Sequence, residues 1–491
     1  MRTAGILVFV TDLYLVAGAQ AKTLRLPRLT KARIIIILSF VFMLAYPSIS
    51  GPAVAAGASP AVNISNDVQP SSNPQVATSN NYVYAVWVAT LATGNAQVMF
   101  SRSSDFGATW SPPYNLSSDR GPASYARISA YGSNVYVLWD DKSAANNNSA
   151  VYFRVSRDNG ATWATVVNLS APAPQPSRHF RFVAQGNNLY VAWVERLIGN
   201  NEILFTTSDD AGIAWTIPAD LSNDVNDSIN IGLAIVGTNV YVVWMAQPPH
   251  FQILERSSSD KGVTWENTTS ISNDAGLAEA PDILAQGAGT NGRVYIVWQD
   301  NTTGTFQTMI RSSQDGGADW GSSINLSHDT GKSANPVIGG QTVGSLSYVY
   351  VAWTDSTPGS NSAYFSVSKD GGKTFSGPID LSPASYSATN LKVQVMPHGV
   401  LLLWQQTNLG ASTVVVRASS DFGNTFGPAQ SMGPGTGTSM SAFFNVSCGS
   451  AGRSYVIWVN PSSDNGDIYV QGMPAQADTL RLTQLPFGVR G

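Results

Sequence analysis

A single cysteine, Cys448, in 491 residues excludes an intrachain disulfide and a zinc site built from cysteines. Charged residues are also sparse, 12% of the chain, while Ser, Thr, Asn and Gly abound. That balance suits exposed β-turns outside the cytoplasm better than a helical enzyme. Beyond Pro60 no stretch keeps a helical period, and Gly and Pro punctuate the chain throughout, so the expected fold is all-β. Six of the basic residues and one acidic residue precede Ser59, which leaves 21 basic against 30 acidic residues in the remainder, a net charge of −9. A nucleic-acid partner is excluded on that balance, because phosphate binding needs a basic surface. No cofactor motif is present, and the acidic pairs Asp224 with Asp227 and Asp464 with Asp467 match a calcium ligand loop poorly, so no metal is expected.

What the chain does have is a repeated turn. The stretch Ser103-Ser104-Asp105-Phe106-Gly107-Ala108-Thr109-Trp110 has the pattern Ser-x-Asp-x-Gly-x-Thr-Trp, and six more copies carry Asp158, Asp210, Asp260, Asp315, Asp370 and Asp421 at the position of Asp105. The steps between them are 53, 52, 50, 55, 55 and 51 residues, a period that belongs to propeller blades. In such a turn the Asp carboxylate accepts backbone N–H groups, Gly supplies a positive φ, and the Thr and aromatic residue begin the next strand. These seven aspartates are therefore read as structural, since equivalent turns around a ring cannot converge on one substrate.

The pattern resembles the Asp box, or bacterial neuraminidase repeat, of the sialidase superfamily of β-propellers. The resemblance runs from about Pro60 to Met473. It implies the fold. Function varies across these propellers, among sialidases, other glycoside hydrolases, receptor ectodomains and non-enzymatic assembly factors, so a site needs its own argument.

Blade number follows from counting. Apolar runs ending in Trp87, Trp139, Trp193, Trp244, Trp298, Trp353, Trp404 and Trp458 recur at steps of 51 to 55 residues. Such runs describe strands buried on both faces. Eight tryptophan strands with seven boxes predict eight blades of four antiparallel strands, A to D from the axis outward. The box joins C to D, and the last outer strand comes from Val62-Asn63-Ile64-Ser65, which matches Tyr114-Asn115-Leu116-Ser117. The competing arrangement takes that strand from Thr479 to Leu482. Sialidases of the family typically have six blades, a departure that weighs against transferring their chemistry.

Residues 1–58 are read as a signal peptide or an N-terminal membrane anchor, 59–475 as the propeller and 476–491 as a C-terminal tail. The basic residues Lys22, Arg25, Arg28, Lys31 and Arg33 precede the uncharged run Ile34 to Tyr46, and small residues follow at Ala53 to Ala58. That is the order of a secretory signal, and extension through Ala58 would make an uncleaved tether. The expected location is extracellular or at the cell surface. Sequons occur at Asn115, Asn168, Asn267, Asn301 and Asn325, although Asn-Leu-Ser is also part of the repeat.

A pocket belongs near the axis, where A strands start and B strands end. Aligned on the tryptophans, the A-strand position reads Gln75, Arg127, Arg181, Gly232, Asp282, Val337, Lys392 and Asn445. Arg127 and Arg181 would present two guanidiniums from adjacent blades, suited to bidentate grip on a carboxylate. Lys392 and Asp282 join them as ligand-binding candidates. Arg127-Ile128 and Phe180-Arg181 are similar to parts of the Phe/Tyr-Arg-Ile-Pro motif of sialidases, and the resemblance implies that the Arg binds the sugar carboxylate. Ala126 and Ser129, and Phe182 and Val183, depart from that motif. Two residues past the tryptophans a second column holds Asp141, Glu195, Asp300 and Asp355, read either as general acids and bases or as caps of their own turns.

The sialidase resemblance further implies a tyrosine nucleophile with a glutamate partner. Tyr125 and Tyr386 lie in suitable connections, and His179 neighbours the Arg pair. Catalytic candidates are thus Glu195, Asp141, Tyr125 and Tyr386. The expected function is an exported propeller that binds glycans or other cell-surface ligands through its axial face. The alternatives are an exo-sialidase or related glycoside hydrolase, and a structural protein of the cell envelope.

Overall fold

The structure, a computed structural model, describes residues 59–473 except 67–69, 119–120, 143–147, 171–176, 198, 224, 248–250, 274–275, 288–291, 329, 358, 383–385, 398, 409–410, 433–443, 449–452 and 461–465. The expected signal or anchor, the C-terminal tail and the strand proposed at 479–482 lie outside the described residues. Among those described there are no helices, and none long and apolar enough to cross a membrane.

Eight four-stranded antiparallel sheets form an eight-bladed β-propeller. Blade 1 comprises Ser71–Ser79 (A), Tyr82–Thr90 (B), Ala96–Ser103 (C) and Tyr114–Asn115 (D). Each A strand touches the A strands of both neighbouring blades, so the A strands line the axis. The B strands are the core: the tryptophans of blades 1 to 7 have no exposed surface, and Trp458 of blade 8 is 4% exposed. Their uninterrupted apolar runs are explained by burial of both sheet faces between adjacent blades.

Blade 8 consists of Phe444–Cys448, Ser454–Asn460, Asp467–Met473 and, on its outer edge, Val62–Asn63. Val62 pairs with Val470 and Asn63 with Tyr469. The N-terminal strand thus occupies the edge for which 479–482 was the competing donor. The closing contacts copy those within the other blades. Ile64 N–H donates to Ile468 O at 2.8 Å and Ile468 N–H to Ser65 Oγ at 3.0 Å, as Leu116 does with Val98 and Val98 with Ser117 in blade 1.

All seven boxes share the bonds among Ser, Asp, Gly and the backbone N–H four residues past the Asp, and five add a Thr hydroxyl bond that Ala214 and Asp319 remove from the third and fifth. In the fourth, Ser258 Oγ donates to Asp260 Oδ1 at 2.8 Å and accepts Gly262 N–H at 2.8 Å. Thr264 N–H donates to Asp260 Oδ1 at 2.8 Å and Thr264 Oγ1 to Oδ2 at 2.6 Å. Lys261 and Gly262 both have positive φ, 64° and 85°, so two residues of the turn are left-handed where the sequence pointed to the glycine alone. A further difference concerns the strand that follows. Thr and Trp do not begin it; the D strand of blade 1 starts at Tyr114, after an extended link from Trp110. The box aromatic instead packs between blades, as Trp163 does edge-on against Phe100 of the preceding blade at 4.9 Å.

These bonds set the response to acid. Thr109 and then Ser103 hold Asp105 down at about 2, and Thr264 does the same for Asp260. A depressed carboxyl contributes stability above its unfolded value near ~4 and loses it as pH falls through the folded value. Each box is solvent-exposed, so each contribution is small; seven act together. Melting temperature is expected to be flat from pH 7 to pH 5 and to fall as pH drops from ~4 towards 2. Asp260→Asn should lower the plateau and flatten the acid limb, and an unchanged limb in multiple box variants would assign acid lability elsewhere.

Candidate functional site

The A-strand column aligned from the sequence is a true structural register. Each member pairs with the residue immediately before a B-strand tryptophan: Arg127 with Leu138, Arg181 with Ala192, Asp282 with Val297 and Lys392 with Leu403. These four act on one another electrostatically. Arg127 feels Arg181, Lys392 feels Arg127, Asp282 and Arg181, and Asp282 feels Arg181 and Lys392. Gly232 stands between Arg181 and Asp282 in the column, and a Cβ there would meet Val243 at 2.6 Å.

Arg181 and Lys392 are exposed and Arg127 and Asp282 half-buried. They stand on A strands that wall the axis. Burial by those walls, and then Arg181, pulls Arg127 down to about 10, against Asp140; burial likewise lowers Arg181 and Lys392. At about 10, Arg127 remains a cation at neutral pH. The guanidiniums donate to backbone, Arg127 Nη1 to Ala126 O at 3.3 Å and Arg181 Nη1 to Phe180 O at 3.4 Å. Asp282 is held by Ile283 N–H at 3.0 Å and Ile338 N–H at 3.1 Å. On the far side of the column Asn445 Nδ2 donates to Gln75 Oε1, linking blades 8 and 1.

Two residues before each column member in blades 1 to 7, the A strand carries a bulge with a left-handed residue. These are Asn73, Tyr125, His179, Asn230, Ala280, Asn335 and Asn390, with φ between 50° and 56°. In blade 2 the pairing register shifts between Ser124 and Arg127. Asn tolerates this region, whereas bulky side chains rarely occupy it. Tyr125 and His179 do so in adjacent blades, two residues from Arg127 and Arg181. Their rings meet edge-on, with centroids 5.9 Å apart, and both side chains are exposed. Strain of this kind collects at ligand sites. Of the tyrosines weighed from the sequence, Tyr125 joins the arginines, and the Tyr386 backbone carbonyl accepts from Ser360 Oγ at 3.3 Å.

Asp140, a residue the sequence reading passed over, lies beneath this pair. It is 2% exposed, and one of its oxygens has no partner. Burial pushes its carboxyl up to about 8, against a hydrogen bond from the His179 backbone N–H and the Arg127 charge. Its nearest sequence signal was its place one residue past Trp139; Gln299, the equivalent in blade 5, accepts Asn335 N–H in the same way at 2.9 Å.

The second column lies under the face instead of lining it. Asp141, Glu195, Asp300 and Asp355 are buried, at most 4% exposed. Trp139 Nε1 donates to Asp141 at 3.3 Å, Trp193 Nε1 to Glu195 at 2.8 Å and Trp298 Nε1 to Asp300 at 3.2 Å. Asp300 and Asp355 also cap their own turns through Thr302 and Thr357 N–H, each at 2.8 Å. Carboxylates bound to core indoles do not face a substrate. Glu195→Ala is expected to cost about 3 kcal/mol in urea unfolding, by leaving the Trp193 indole buried and unpaired, with Glu195→Gln costing less because an acceptor remains. Equal losses would mean that the charge itself matters.

Of the residues weighed for calcium, Asp227 Oδ1 accepts Asn201 N–H at 2.7 Å and Asn201 Nδ2 at 2.9 Å. Asp224 and Asp464 lie outside the described residues.

Residues 233–455 match the family described as a BNR repeat-like domain. No curated protein matches the chain. Among solved structures it is similar to the Hadza microbial sialidase Hz136, at 16% identity over 61% of this chain and 66% of that one, with a TM-score of 0.36. It is also similar to the NanB sialidase from Streptococcus pneumoniae, at 15% identity over 72% of this chain and 67% of that one, TM-score 0.34. A polysaccharide lyase, the ulvan lyase of PL25, is 12% identical over 84% of this chain and 95% of that one, TM-score 0.48. No residue role is transferred across such distances.

Proposed function

We propose that this eight-bladed β-propeller, whose residues 233–455 match a BNR repeat-like domain, binds acidic glycans at the mouth of its axial channel. The observation that carries the reading is the convergence of Arg127, Arg181 and Lys392 on one channel, with the strained Tyr125–His179 ring pair two residues above the arginines. Three basic side chains against one acidic one, Asp282, favour an anionic ligand. The paired guanidiniums suit the two oxygens of a sugar carboxylate or sulfate. The exposed rings offer a surface for the apolar face of a pyranose.

A hydrolytic reading draws on a separate observation, the buried Asp140 carboxyl held at about 8 beside Arg127, since an acid that keeps its proton at neutral pH can donate it. Binding alone requires none of this. Export is proposed from the basic, apolar and small-residue order of residues 1–58, with the propeller outside the membrane. Fractionation of expressing cells with and without those residues checks it.

The deciding experiment presents the full chain with arrays of carboxylated, sulfated and neutral oligosaccharides while release of reducing ends is followed. Saturable retention on acidic members alone supports the proposal, and turnover in addition supports the hydrolytic reading. Equal retention of neutral members would sink it.

A further inference from the structure

On the side of the Asp boxes, the box aromatics cover C-strand residues of the preceding blade. The covered position pairs with the B-strand residue just before the tryptophan, and is Phe100 in blade 1, Val416 in blade 7 and Val470 in blade 8. Trp163, Trp215, Trp265 and Phe426 pack edge-on against the phenylalanines that occupy it in blades 1, 2, 3 and 6, at 4.9 to 5.0 Å. Trp110 shares a cluster with Val470 of blade 8, and Phe375 with Ile310 of blade 5. Seven boxes in a ring of eight blades leave one C strand uncovered. It is that of blade 7, because blade 8 has no box.

A groove of about 60 Å³ opens over Val416, lined among others by Met396, Leu401, Pro428, Ser454 and Met473. That is the scale of a side chain, well below the ~300 Å³ or more of a small-molecule site. No charged residue lines it, and Met396, Leu401, Val416 and Met473 belong to one buried cluster. An apolar wall without a neighbour forfeits its dispersion contacts. Ser454 adds a second deficit. It is 1% exposed, and among the described residues its Oγ has no hydrogen-bond partner, which costs stability until a donor or acceptor arrives.

The chain itself supplies a candidate plug. Met473 pairs with Ser454 as Ser419, the first residue of the seventh box, pairs with Val400, so the chain leaves blade 8 where a box would begin. Seven residues on, at the place that Trp110 has in the first box, stands Leu480, and Thr479 takes the place of Thr109. Ala475 and Ala477 replace the box Asp and Gly, so the carboxylate bonds of the other turns are missing and only seven boxes are legible in the sequence. The N-terminal segment has no side chain of this size to offer. Ser59 N–H donates to Gly472 O at 3.0 Å as Ser111 N–H donates to Arg102 O at 2.8 Å, and the residue before Ser59 is Ala58 where Trp110 precedes Ser111. We propose that residues 474–480 are the missing eighth cap, that Leu480 plugs the groove between blades 7 and 8, and that the backbone of this segment gives the Ser454 hydroxyl its partner. Both ends of the chain then seal the ring, one as the outer strand of blade 8 and the other as its cap.

The test follows hydrogen peroxide oxidation of individual methionines in the full chain by mass spectrometry, with thermal unfolding alongside. Met396 and Met473 line the groove, and Met245, buried in blade 4, is the internal reference. Leu480→Asp is expected to raise the oxidation rates of Met396 and Met473 by about threefold or more while that of Met245 stays constant. It should also lower the melting temperature by a few degrees, and Leu480→Ala should do both to a smaller extent. Leu480→Phe supplies the aromatic of the sixth and seventh boxes and should keep both methionines protected. Phe487→Asp, in the same segment but seven residues beyond the plug, should change neither rate, and removal of residues 1–58 should change neither. Wild-type rates equal to those of Leu480→Asp would mean an open groove and overturn the proposal. So would loss of protection on removing residues 1–58, which assigns the groove to the N-terminal segment, or protection that grows with protein concentration, which assigns it to a second copy.

Discussion

Deletion of residues 59–66 is expected to lower the melting temperature by about 10 °C or to leave the chain unfolded. Those residues supply the fourth strand of blade 8, and no other segment among the described residues occupies that edge. Ile64 is 4% exposed and packs in one cluster with Trp87 of blade 1 and Ile457 and Ile468 of blade 8. Truncating it alone to Ala should cost about 2–5 kcal/mol. The deletion also removes the Ile64 and Ser65 bonds to Ile468, and the Ser59 N–H bond to Gly472 O at 3.0 Å. Loss of about 5 kcal/mol in total is comparable with the whole stability of many domains. Closure differs from any internal contact because it joins the two ends of the ring, so its loss exposes a sheet edge as well as an apolar face. Thermal unfolding of the deleted chain, alone and with a synthetic 59–66 peptide, is the measurement. Rescue by the peptide is expected. An unchanged melting temperature on deletion would mean that another segment closes blade 8.

The architecture was legible because its signals are local. A box is one turn whose Ser, Asp, Gly and Thr bond to one another, so its sequence needs no distant partner to be recognised. The B strands were equally plain, since burial on both faces leaves no polar alternation. Even the axial column could be aligned, because short A-to-B hairpins hold Arg127 and Arg181 twelve residues before a tryptophan. What the sequence hid depends on neighbouring blades. Asp140 receives an N–H from the next blade's His179, and the groove at Val416 acquires meaning only beside the box that blade 8 lacks. The bulge had left a trace: Asn73, Asn230, Asn335 and Asn390 recur two residues before the column. Tyr125 and His179 replace Asn at that position, and their substitution there is the signal that would have raised His179 above an ordinary loop residue. Asp141 and Glu195 were misleading for the converse reason. Their sequence positions match a rim, while the strand's pleat turns them onto the tryptophan indoles.

Replacement of both Arg127 and Arg181 by Ala is expected to weaken retention of an acidic oligosaccharide by about 100-fold or more. Each guanidinium is fixed by the A strand, and their mutual repulsion in a walled channel is relieved by an incoming anion, so the pair does more than two independent surface charges. The single variants should each lose less than the square root of the double loss only if the arginines compete for the ligand; cooperative grip predicts larger single losses, because one guanidinium alone cannot bridge both oxygens. Lys392→Gln should cost less, about threefold to tenfold, and should reduce the salt dependence, since an ammonium acts as a point charge. Asp140 gives the pH profile its sign. With its carboxyl held at about 8, it is neutral below that value and adds a negative charge next to Arg127 above it. Affinity for an anion should therefore decline as pH rises from 7 to 9, and Asp140→Asn should remove the decline while keeping an acceptor for the His179 N–H. A decline of equal size in Asp140→Asn would assign the titration to another group, and full affinity in the double arginine variant would place the ligand away from the axis.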